Sequence, residues 1–263
     1  MNYPQALLLA PTYELALQIG RVIETMGELL PYARVAYAVR QDAGKNSRFQ
    51  KGQLLQEPIV VGTPGTVEEW CLKQRVIDLS KLTIFCIDEA DVMMDMDGFQ
   101  TVCSRLIEKL DQNKCQLILF SATYSDVVIG FAKTCIPNPV VLRLKQAKQA
   151  LPNIFQYYVW CQNEQEKFNA IELIYGALPI GQGIIFCRTK RTARDLHIRL
   201  ANQSHSVREL TSDLDVQQRA SVINLFRENQ FRVLISTNVT SRGKFTCSNR
   251  LSCLQAQKLF FRN

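Results

Sequence analysis

Two adjacent carboxylates near residue 90 have the residue types and the spacing needed for phosphate chemistry. Asp88 and Glu89 directly follow the apolar stretch Leu82–Ile87, which is typical of a buried strand, and Asp91 comes two residues later. In an open α/β sheet, ligands bind beyond the carboxyl ends of the strands. A magnesium ion takes carboxylate and phosphate oxygens, and a second carboxylate can orient a water molecule for attack on phosphorus. The run therefore predicts a site for Mg²⁺ and a phosphate group.

Several other short motifs also follow predicted strands. They are Pro11-Thr12, Thr63-Pro64-Gly65, Ser121-Ala122-Thr123, Arg188-Thr189 and the run from Thr237 to Gly243. Taken singly, a Thr-Pro-Gly sequence is more often a plain turn, and Ser-Ala-Thr is more often the start of a helix. Their shared position at the carboxyl ends of strands indicates that they line binding surfaces.

The elements that must position these residues alternate between short apolar strands and amphipathic helices, as in parallel sheets with crossover helices. The predicted strands of the first half are Ala6–Leu9, Val35–Val39, Ile59–Val61, Leu82–Ile87, Leu117–Phe120 and Val140–Leu142, and its helices are Glu14–Leu30, Val102–Leu110 and Asp126–Cys135. Those of the second half are strands Ile154–Trp160, Gly183–Phe186, Val207–Leu210 and Arg232–Ser236, and helices Glu164–Leu178, Arg191–Leu200 and Val216–Glu228. We therefore predict two tandem α/β domains, residues 1–145 and 153–243, joined by a linker at 146–152.

Composition and charge narrow the class of protein. The chain has 263 residues, 47% of them apolar, which is enough for two packed cores. Residues 1–145 have 15 basic and 16 acidic side chains, whereas residues 146–263 have 16 basic and 8 acidic ones, a net charge of −1 against +8. The basic half indicates either a polyanion partner or an ordinary solvated surface. We expect no membrane partner, because no apolar run is long enough to span a bilayer.

The nine cysteines give little support for a metal centre. None of them forms a CxxC pair, so a zinc site is not indicated, and reduced buried thiols in the cytoplasm or nucleus fit best. The two histidines, His197 and His205, have no partner pattern and are interpreted as ordinary surface residues.

As a set, in this order and at this spacing, the motifs resemble those of the DEAD-box ATP-dependent RNA helicases. The resemblance covers about residues 5–243. Tyr13 and Thr66, which stand where the family usually has arginine, make the chain most similar to the helicases of messenger-RNA export at the nuclear pore and to their germ-cell relatives. The resemblance implies two tandem RecA-like parallel-sheet domains, both of them incomplete here, and a location in the cytoplasm and nucleus, at the nuclear pore.

The resemblance also implies roles for individual residues. Asp88 would hold Mg²⁺ on ATP through water, Glu89 would position the attacking water, and Asp91 would bond the segment that contains Ser121 and Thr123. RNA would be contacted, without sequence preference, through its backbone. The residues that would contact it are Pro11, Thr12, Thr63 and Gly65 in the first domain and Arg188, Thr189 and Thr237 in the second. A nucleoporin and an activator that uses inositol hexakisphosphate are the implied protein partners.

Two parts of the family pattern do not occur in this sequence. It has no GxxxxGK[ST] phosphate loop, and Lys244 and Phe245 follow Gly243 where the family has an apolar and an acidic residue before its final arginine motif. We therefore expect negligible ATP turnover, marginal stability and a tendency to aggregate. We further interpret residues 244–263 as an aberrant tail, encoded outside the normal exon.

Two functional interpretations therefore stay open. The first is an ATP-dependent RNA helicase that remodels RNA duplexes or RNA–protein complexes in export or translation. The second is a truncated, non-catalytic form or degenerate copy that binds RNA or partners weakly. A metal-dependent phosphatase built on Asp88 and Asp91 is disfavoured, because it leaves the second domain unexplained.

Overall fold

In the computed structural model, the chain divides into two compact units. The units are Met1–Val141 and Leu142–Asn263. Within them, the described residues are 3–40, 53–96, 98–136, 138–143, 154–178, 180–237 and 256–262. The predicted linker, 146–152, lies outside these ranges, so the structure does not test it.

The first unit is built on a five-stranded parallel sheet with the order β2-β3-β1-β4-β5. Its strands are β1 Ala6–Leu9, β2 Val35–Ala38, β3 Ile59–Gly62, β4 Ile84–Ile87 and β5 Gln116–Leu119. The strands are short and apolar, as expected for a sheet that is covered by helices. Leu7, Val60 and Phe85 are fully buried, which places the core against the middle strands.

Among the described residues of this unit, five helices accompany the sheet. They are α1 Tyr13–Met26, α2 Pro64–Glu68, α3 Ala90–Asp95, α4 Phe99–Ile107 and α5 Asp126–Cys135. A π-helical turn at Glu69–Lys73 continues α2, and a 3₁₀ turn lies at Leu79–Lys81. Leu106, Val128 and Phe131 are buried in one cluster with strand residues such as Phe85, so α4 and α5 pack on the sheet through their apolar sides.

The second unit repeats the alternation. Its strands are β6 Ile154–Trp160, β7 Gly183–Cys187, β8 Val207–Leu210, β9 Val233–Thr237 and β10 Ala256–Arg262, and its helices are α6 Glu164–Ala177, α7 Lys190–Asn202 and α8 Val216–Arg227. Strands β7, β9 and β8 form a parallel sheet in that order, and β6 pairs with β10 in a second parallel ladder. Leu234 and Ile235 are fully buried, so β9 is the core strand of this unit.

The structure corrects several of the predicted elements. Val140–Leu142 belongs to no strand, and its side chains are 88, 62 and 84% exposed, because apolar composition alone does not supply a ladder partner. Helix α1 ends at Met26, since Gly27 caps it, so the predicted last turn to Leu30 is not helical. Helices α2 and α3 were not predicted, nor was strand β10 within the tail.

Across the described ranges, no helix combines the length and the apolar character that crossing a bilayer requires.

Candidate nucleotide and RNA site

The parallel register of the first sheet brings four predicted motifs to the same edge. Leu9 lies level with Gly62 on one side and with Ile87 on the other, and Ile87 lies level with Leu119. The chain therefore leaves β1, β3, β4 and β5 at the same height, at the carboxyl edge. The residues that follow are Pro11 and Thr12, then Thr63 and Gly65, then Asp88 to Asp91, then Ser121 to Thr123.

The acidic turn after β4 is held from both sides by main-chain hydrogen bonds. The N–H of Asp88 donates to the carbonyl oxygen of Leu9 at 3.0 Å, and the N–H of Ala90 donates to that of Phe120 at 3.0 Å. Between them Glu89 adopts a left-handed conformation with φ of 52°, which costs a non-glycine residue about 1–2 kcal/mol. The N–H of Glu89 donates to Asp88 Oδ1 at 2.9 Å, which fixes the first carboxylate.

Two hydrogen bonds join Asp91, in helix α3, to the segment after β5, and a third lies within that segment. The Asp91 N–H donates to Ser121 Oγ at 3.2 Å, Ser121 Oγ donates to the carbonyl of Thr123 at 2.6 Å, and Thr123 Oγ1 donates to Asp91 Oδ2 at 2.7 Å. The other carboxylate oxygen, Oδ1, is buried and accepts no hydrogen bond from the described residues. The predicted contact between Asp91 and this segment is therefore present in the structure.

The acidic turn suits a cation whose remaining ligands are phosphate oxygens and water molecules. Asp88 and Glu89 are both half-buried. The described residues contain no group of three or more acidic, histidine or cysteine side chains that would hold a metal alone. A magnesium ion commonly takes one or two carboxylates and completes its shell with phosphate oxygens and water, so the residues present fit Mg²⁺ bound to a nucleotide.

A buried thiol lies in the strand that leads to the acidic turn. Burial, and secondarily the negative charge of Asp88, raise the pKa of Cys86 to about 11. Cys86 is therefore a neutral core residue at physiological pH.

The motif threonines of the first unit mark the starts of helices. Thr12 is the N-cap of α1, and its hydroxyl oxygen accepts the N–H of Leu15 at 3.3 Å. Thr63 is the N-cap of α2 but makes no capping bond with its side chain. Helix N-termini with small hydroxyl side chains are natural binding places for phosphate. Pro11, in contrast, is buried, so it shapes the chain at this edge and offers no exposed side-chain surface.

Gly65 lies one residue into α2 and is exposed. A Cβ atom built there would meet no other atom within 4 Å, so neither internal packing nor an unusual φ requires glycine at this position. The absence of a side chain leaves room for a ligand to approach the main chain closely.

The second unit presents a comparable edge. Cys187 and Thr237 are level in the register of β7 and β9, so Arg188, Thr189 and Thr237 lie at the same end of that sheet. Arg188 is exposed, whereas Thr237 is 5% exposed at the end of its strand. Asn238 to Gly243, which complete the predicted motif, lie outside the described residues.

The side chain of Thr189 is already engaged within the unit. Its hydroxyl accepts the N–H of Thr192 at 3.1 Å as the N-cap of α7, and the two hydroxyls lie 2.9 Å apart. Thr192 Oγ1 donates to Glu164 Oε1 at 3.1 Å, so the short bond between the hydroxyls takes its proton from Thr189. Thr192 and Glu164 were not predicted as site residues, although the Thr-x-x-Thr spacing at a helix start is a signal for such a pair.

Parallel sheets whose carboxyl edges carry an acidic turn, hydroxyl side chains and helix N-termini are typical of the α/β proteins that bind nucleotides. Comparison with known families gives a more specific result. Residues 1–129 match the DEAD/DEAH box helicase family and residues 166–244 match the helicase conserved C-terminal domain. The chain belongs to the DEAD-box helicase family, which confirms the resemblance that the motifs predicted.

The relatives come from the predicted branch of that family. The chain is 47% identical to ATP-dependent RNA helicase DDX25 of Rattus norvegicus over 241 residues, and 47% identical to DDX19A of Mus musculus over 242. Each alignment covers 92% of this chain and 49% of the relative. The chain thus spans about half the length of the curated relatives it matches.

Solved structures confirm the fold. S. cerevisiae Dbp5 bound to RNA and ADP BeF3 superposes with a TM-score of 0.81 at 38% identity, covering 92% of this chain and 60% of that one. A variant of the same yeast protein bound to Nup159, Gle1, IP6 and ADP gives a TM-score of 0.62 at 37% identity, covering 90% and 60%. The predicted architecture of tandem RecA-like parallel-sheet domains is therefore confirmed.

Proposed function

We propose that this chain is the part of an ATP-dependent RNA helicase that contacts the nucleotide and the RNA backbone. The observation that carries the proposal is the hydrogen bond from Thr123 to Asp91, three residues after Asp88 and at the same sheet edge. This hydrogen bond connects the acidic turn to the segment after β5. A shift of the acidic turn on binding or release of the nucleotide phosphates would therefore also displace that segment. Family membership and the ATP-dependent relatives support this assignment.

At the nucleotide, Asp88 would hold Mg²⁺ through water and Glu89 would orient the attacking water molecule. The main-chain bonds to Leu9 and Phe120 hold the backbone of the acidic turn in place, and the N–H of Glu89 holds the carboxylate of Asp88. Magnesium, when bound, neutralises charge on the phosphate oxygens. Since the sequence contains no GxxxxGK[ST] loop, we expect these 263 residues by themselves to hydrolyse ATP no faster than their Glu89→Gln variant. An RNA-stimulated rate above that control, measured by phosphate release, would contradict this expectation.

At the RNA, the helix starts at Thr12 and Thr63 and the open main chain at Gly65 would contact phosphates and 2′-hydroxyl groups. Arg188, Thr189 and Thr237 would do the same from the second unit. Thr189 would act through its main chain, because its hydroxyl already bonds Thr192. Such contacts read the shape of the backbone and not the bases.

Gly65 gives the sharpest test of RNA binding. In the Gly65→Glu variant, the new side chain meets open space, so the fold is kept while a carboxylate opposes the phosphates. Gly176→Glu is the matched control, because Gly176 is also exposed, also lies in a helix and also has no atom within 4 Å of a built Cβ. We expect Gly65→Glu to weaken binding of a labelled oligouridine about tenfold, as measured by fluorescence anisotropy, and Gly176→Glu to change it little.

Two outcomes of that experiment would count against the proposal. Equal losses in both variants would mean that charge alone weakens binding and that Gly65 makes no contact. A wild-type chain with no salt-dependent affinity for oligouridine or oligoadenine would remove RNA as the ligand of this piece.

We further propose that the protein acts in messenger-RNA export at the nuclear pore. The supporting observation is that the yeast relative, 37% identical to this chain, was captured with Nup159, Gle1 and IP6. Titration calorimetry of the chain against the purified counterparts of those proteins, with and without IP6, is the direct measurement. Failure to bind any of them would restrict the proposal to RNA.

A further inference from the structure

The start of helix α7 is connected to the start of helix α6 by two side chains. Thr192, in the first turn of α7, donates its hydroxyl proton to Oε1 of Glu164, the first residue of α6, at 3.1 Å. The hydroxyl oxygen of Thr192 lies 2.9 Å from that of Thr189, the N-cap of α7. Glu164 is therefore connected, through one intervening side chain, to a residue that we propose contacts RNA.

The carboxylate of Glu164 fixes the direction of these hydrogen bonds. An ionised carboxylate only accepts, so Thr192 donates its proton to Glu164 and Thr189 donates its own to Thr192. The oxygen of Thr189 in turn accepts the N–H of Thr192 at 3.1 Å. Without the carboxylate, the Thr192 hydroxyl could rotate and donate to Thr189 or to water. Glu164 thus selects one hydrogen-bonding arrangement of the cap of α7.

Glu164 is itself held by the cap of α6, which does not involve α7. The side chain of Asn163 accepts the N–H of Glu166 at 2.9 Å, and the carboxylate of Glu166 accepts the N–H of Gln162 at 2.7 Å. Bonds of this kind satisfy the N–H groups at a helix start and fix its direction. Glu164 therefore gives the start of α7 a fixed point of attachment.

Glu164 also lies beside the strand that leads to Thr189. Burial, and secondarily the negative charge of Glu164, raise the pKa of Cys187, the last residue of β7, to about 11. The carboxylate is thus close to the turn from β7 into α7 as well as to the first turn of the helix.

The cap of α7 determines where the first N–H groups of the helix point. The N–H groups at a helix start have no partner within the helix, and α7 begins with Lys190 and Arg191. Thr189 has φ of −123° and ψ of 153°, the extended conformation of an N-cap residue. Since its hydroxyl proton is donated to Thr192, the groups that this turn offers to an anion are main-chain N–H groups.

We propose that Glu164 is a positioning residue for RNA-backbone binding by the second unit. Through Thr192 it holds Thr189 in the cap conformation and so directs the first N–H groups of α7 toward a phosphate. Glu164 does not contact the RNA itself, because its negative charge opposes a phosphate. The inference rests on the proposed function, which places RNA at Thr189.

Two substitutions of Glu164 separate positioning from charge. Glu164→Gln removes the charge but keeps an oxygen that accepts the Thr192 hydroxyl, whereas Glu164→Ala removes both. Glu164 is exposed, so both variants keep the fold. By fluorescence anisotropy with a labelled oligouridine, we expect Glu164→Ala to bind about fivefold more weakly than the wild type, and Glu164→Gln at least as tightly as the wild type. If the carboxylate acted through charge alone, both variants would bind more tightly and to the same extent.

Gln165→Ala is the matched control for packing between the two helices. Gln165 is the exposed neighbour of Glu164, and its Oε1 accepts a hydrogen bond from Nη2 of Arg199 at 3.0 Å, so it also joins α6 to α7. Arg199 lies about 15 Å from Thr189 along the helix axis. We therefore expect Gln165→Ala to affect thermal unfolding about as much as Glu164→Ala does, and to leave the affinity for oligouridine unchanged.

Substitutions of Thr192 test whether the effect of Glu164 passes through this side chain. Thr192→Val removes the hydroxyl with little change of shape, and we expect it to weaken oligouridine binding as Glu164→Ala does. Thr192→Ser keeps the hydroxyl and should bind like the wild type. The double variant with Glu164→Ala and Thr192→Val should bind no more weakly than either single variant, because both remove the same connection.

A measurement without RNA tests the cap directly. In the free chain, hydrogen exchange of the amide at position 192, followed by NMR, should be faster in Glu164→Ala than in the wild type, in Glu164→Gln or in Gln165→Ala. The reason is that the N–H of Thr192 then has a less fixed acceptor on Thr189.

Several results would overturn the inference. They are unchanged exchange at position 192 in Glu164→Ala, equal losses of affinity in Glu164→Ala and Gln165→Ala, an equal loss in Glu164→Gln, or additive losses in the double variant. Wild-type binding with no loss in Glu164→Ala would overturn this inference alone and leave the proposed function standing. A wild-type chain without affinity for oligouridine would overturn both.

Discussion

The hydroxyl of Thr123 donates to Oδ2 of Asp91 at 2.7 Å and so joins two segments that are 32 residues apart in sequence. Ser121 completes the link, because its Oγ accepts the Asp91 N–H and donates to the Thr123 carbonyl. The acidic turn and the segment after β5 are therefore joined directly by hydrogen bonds. This relationship connects the end of β4 with the end of β5 more firmly than their ladder alone.

We expect the link between Asp91 and Thr123 to be measurable as a coupling energy. Removing either partner with Asp91→Ala or Thr123→Ala costs stability, and the double variant costs less than the sum of the two. A charge-assisted hydrogen bond at a partly exposed site gives a coupling of about 1–2 kcal/mol. Urea unfolding of the four proteins checks this, and strictly additive losses would show that the bond contributes nothing.

The two motif threonines of the first unit allow a helix-capping role to be separated from ligand binding. Thr12 accepts the N–H of Leu15, whereas Thr63 makes no capping bond with its side chain. We therefore expect Thr12→Ala to lower the free energy of unfolding by about 1 kcal/mol, with Thr12→Ser restoring it, and Thr63→Ala to change stability by less than half as much. Both alanine variants should weaken oligouridine binding. A Thr63→Ala variant that loses stability but not affinity would reverse this assignment.

Helix α1 approaches Tyr37 of strand β2 closely at Gly20, which has no side chain. A Cβ atom added at Gly20 would lie 2.1 Å from Cε1 of the Tyr37 ring. Gly20→Ala therefore forces the ring or the helix to move, at a cost of about 1–3 kcal/mol.

Gly130→Ala serves as the control, since Gly130 also lies within a helix and its Cβ would meet nothing within 4 Å. It should gain about 0.5–1 kcal/mol from better helix propensity. Thermal unfolding of both variants tests the pair, and a Gly20→Ala protein as stable as the wild type would show that Tyr37 is not fixed against α1.

The raised pKa values of the buried thiols predict that the free energy of unfolding decreases at alkaline pH. Burial raises the pKa of Cys71 and Cys103 to about 12 and that of Cys187 to about 11. Each of these thiols has a higher pKa in the folded than in the unfolded chain. The stability that its neutral form contributes is therefore complete below the unfolded pKa near 9 and is lost as pH rises through 11–12. Urea midpoints should thus hold steady to about pH 8 and fall above pH 9. Maleimide at pH 7 should leave these three thiols unlabelled until the protein unfolds; rapid labelling of the native chain would contradict their burial.

The class of fold and the residues of the acidic turn could be predicted from the amino-acid sequence alone. Alternation of apolar runs with helical periodicity is a local property, so β1, β6, β8 and α5 were predicted with the bounds that they have in the structure. The motif residues could also be named, because each stands directly after an apolar strand. Helix α3 was not predicted, because six residues are too few to show the apolar periodicity of a helix and the left-handed Glu89 before them has no sequence signature.

Which of these residues lie next to each other depends on the folded arrangement of distant segments. The order β2-β3-β1-β4-β5 places Leu9 between Gly62 and Ile87, and no local pattern specifies that order. The same holds for Val140–Leu142, which has strand composition but no partner, and for Thr189, whose hydroxyl is engaged by Thr192. Strand neighbours and hydrogen-bond partners depend on how distant segments pack, and that information lies in the folded chain as a whole.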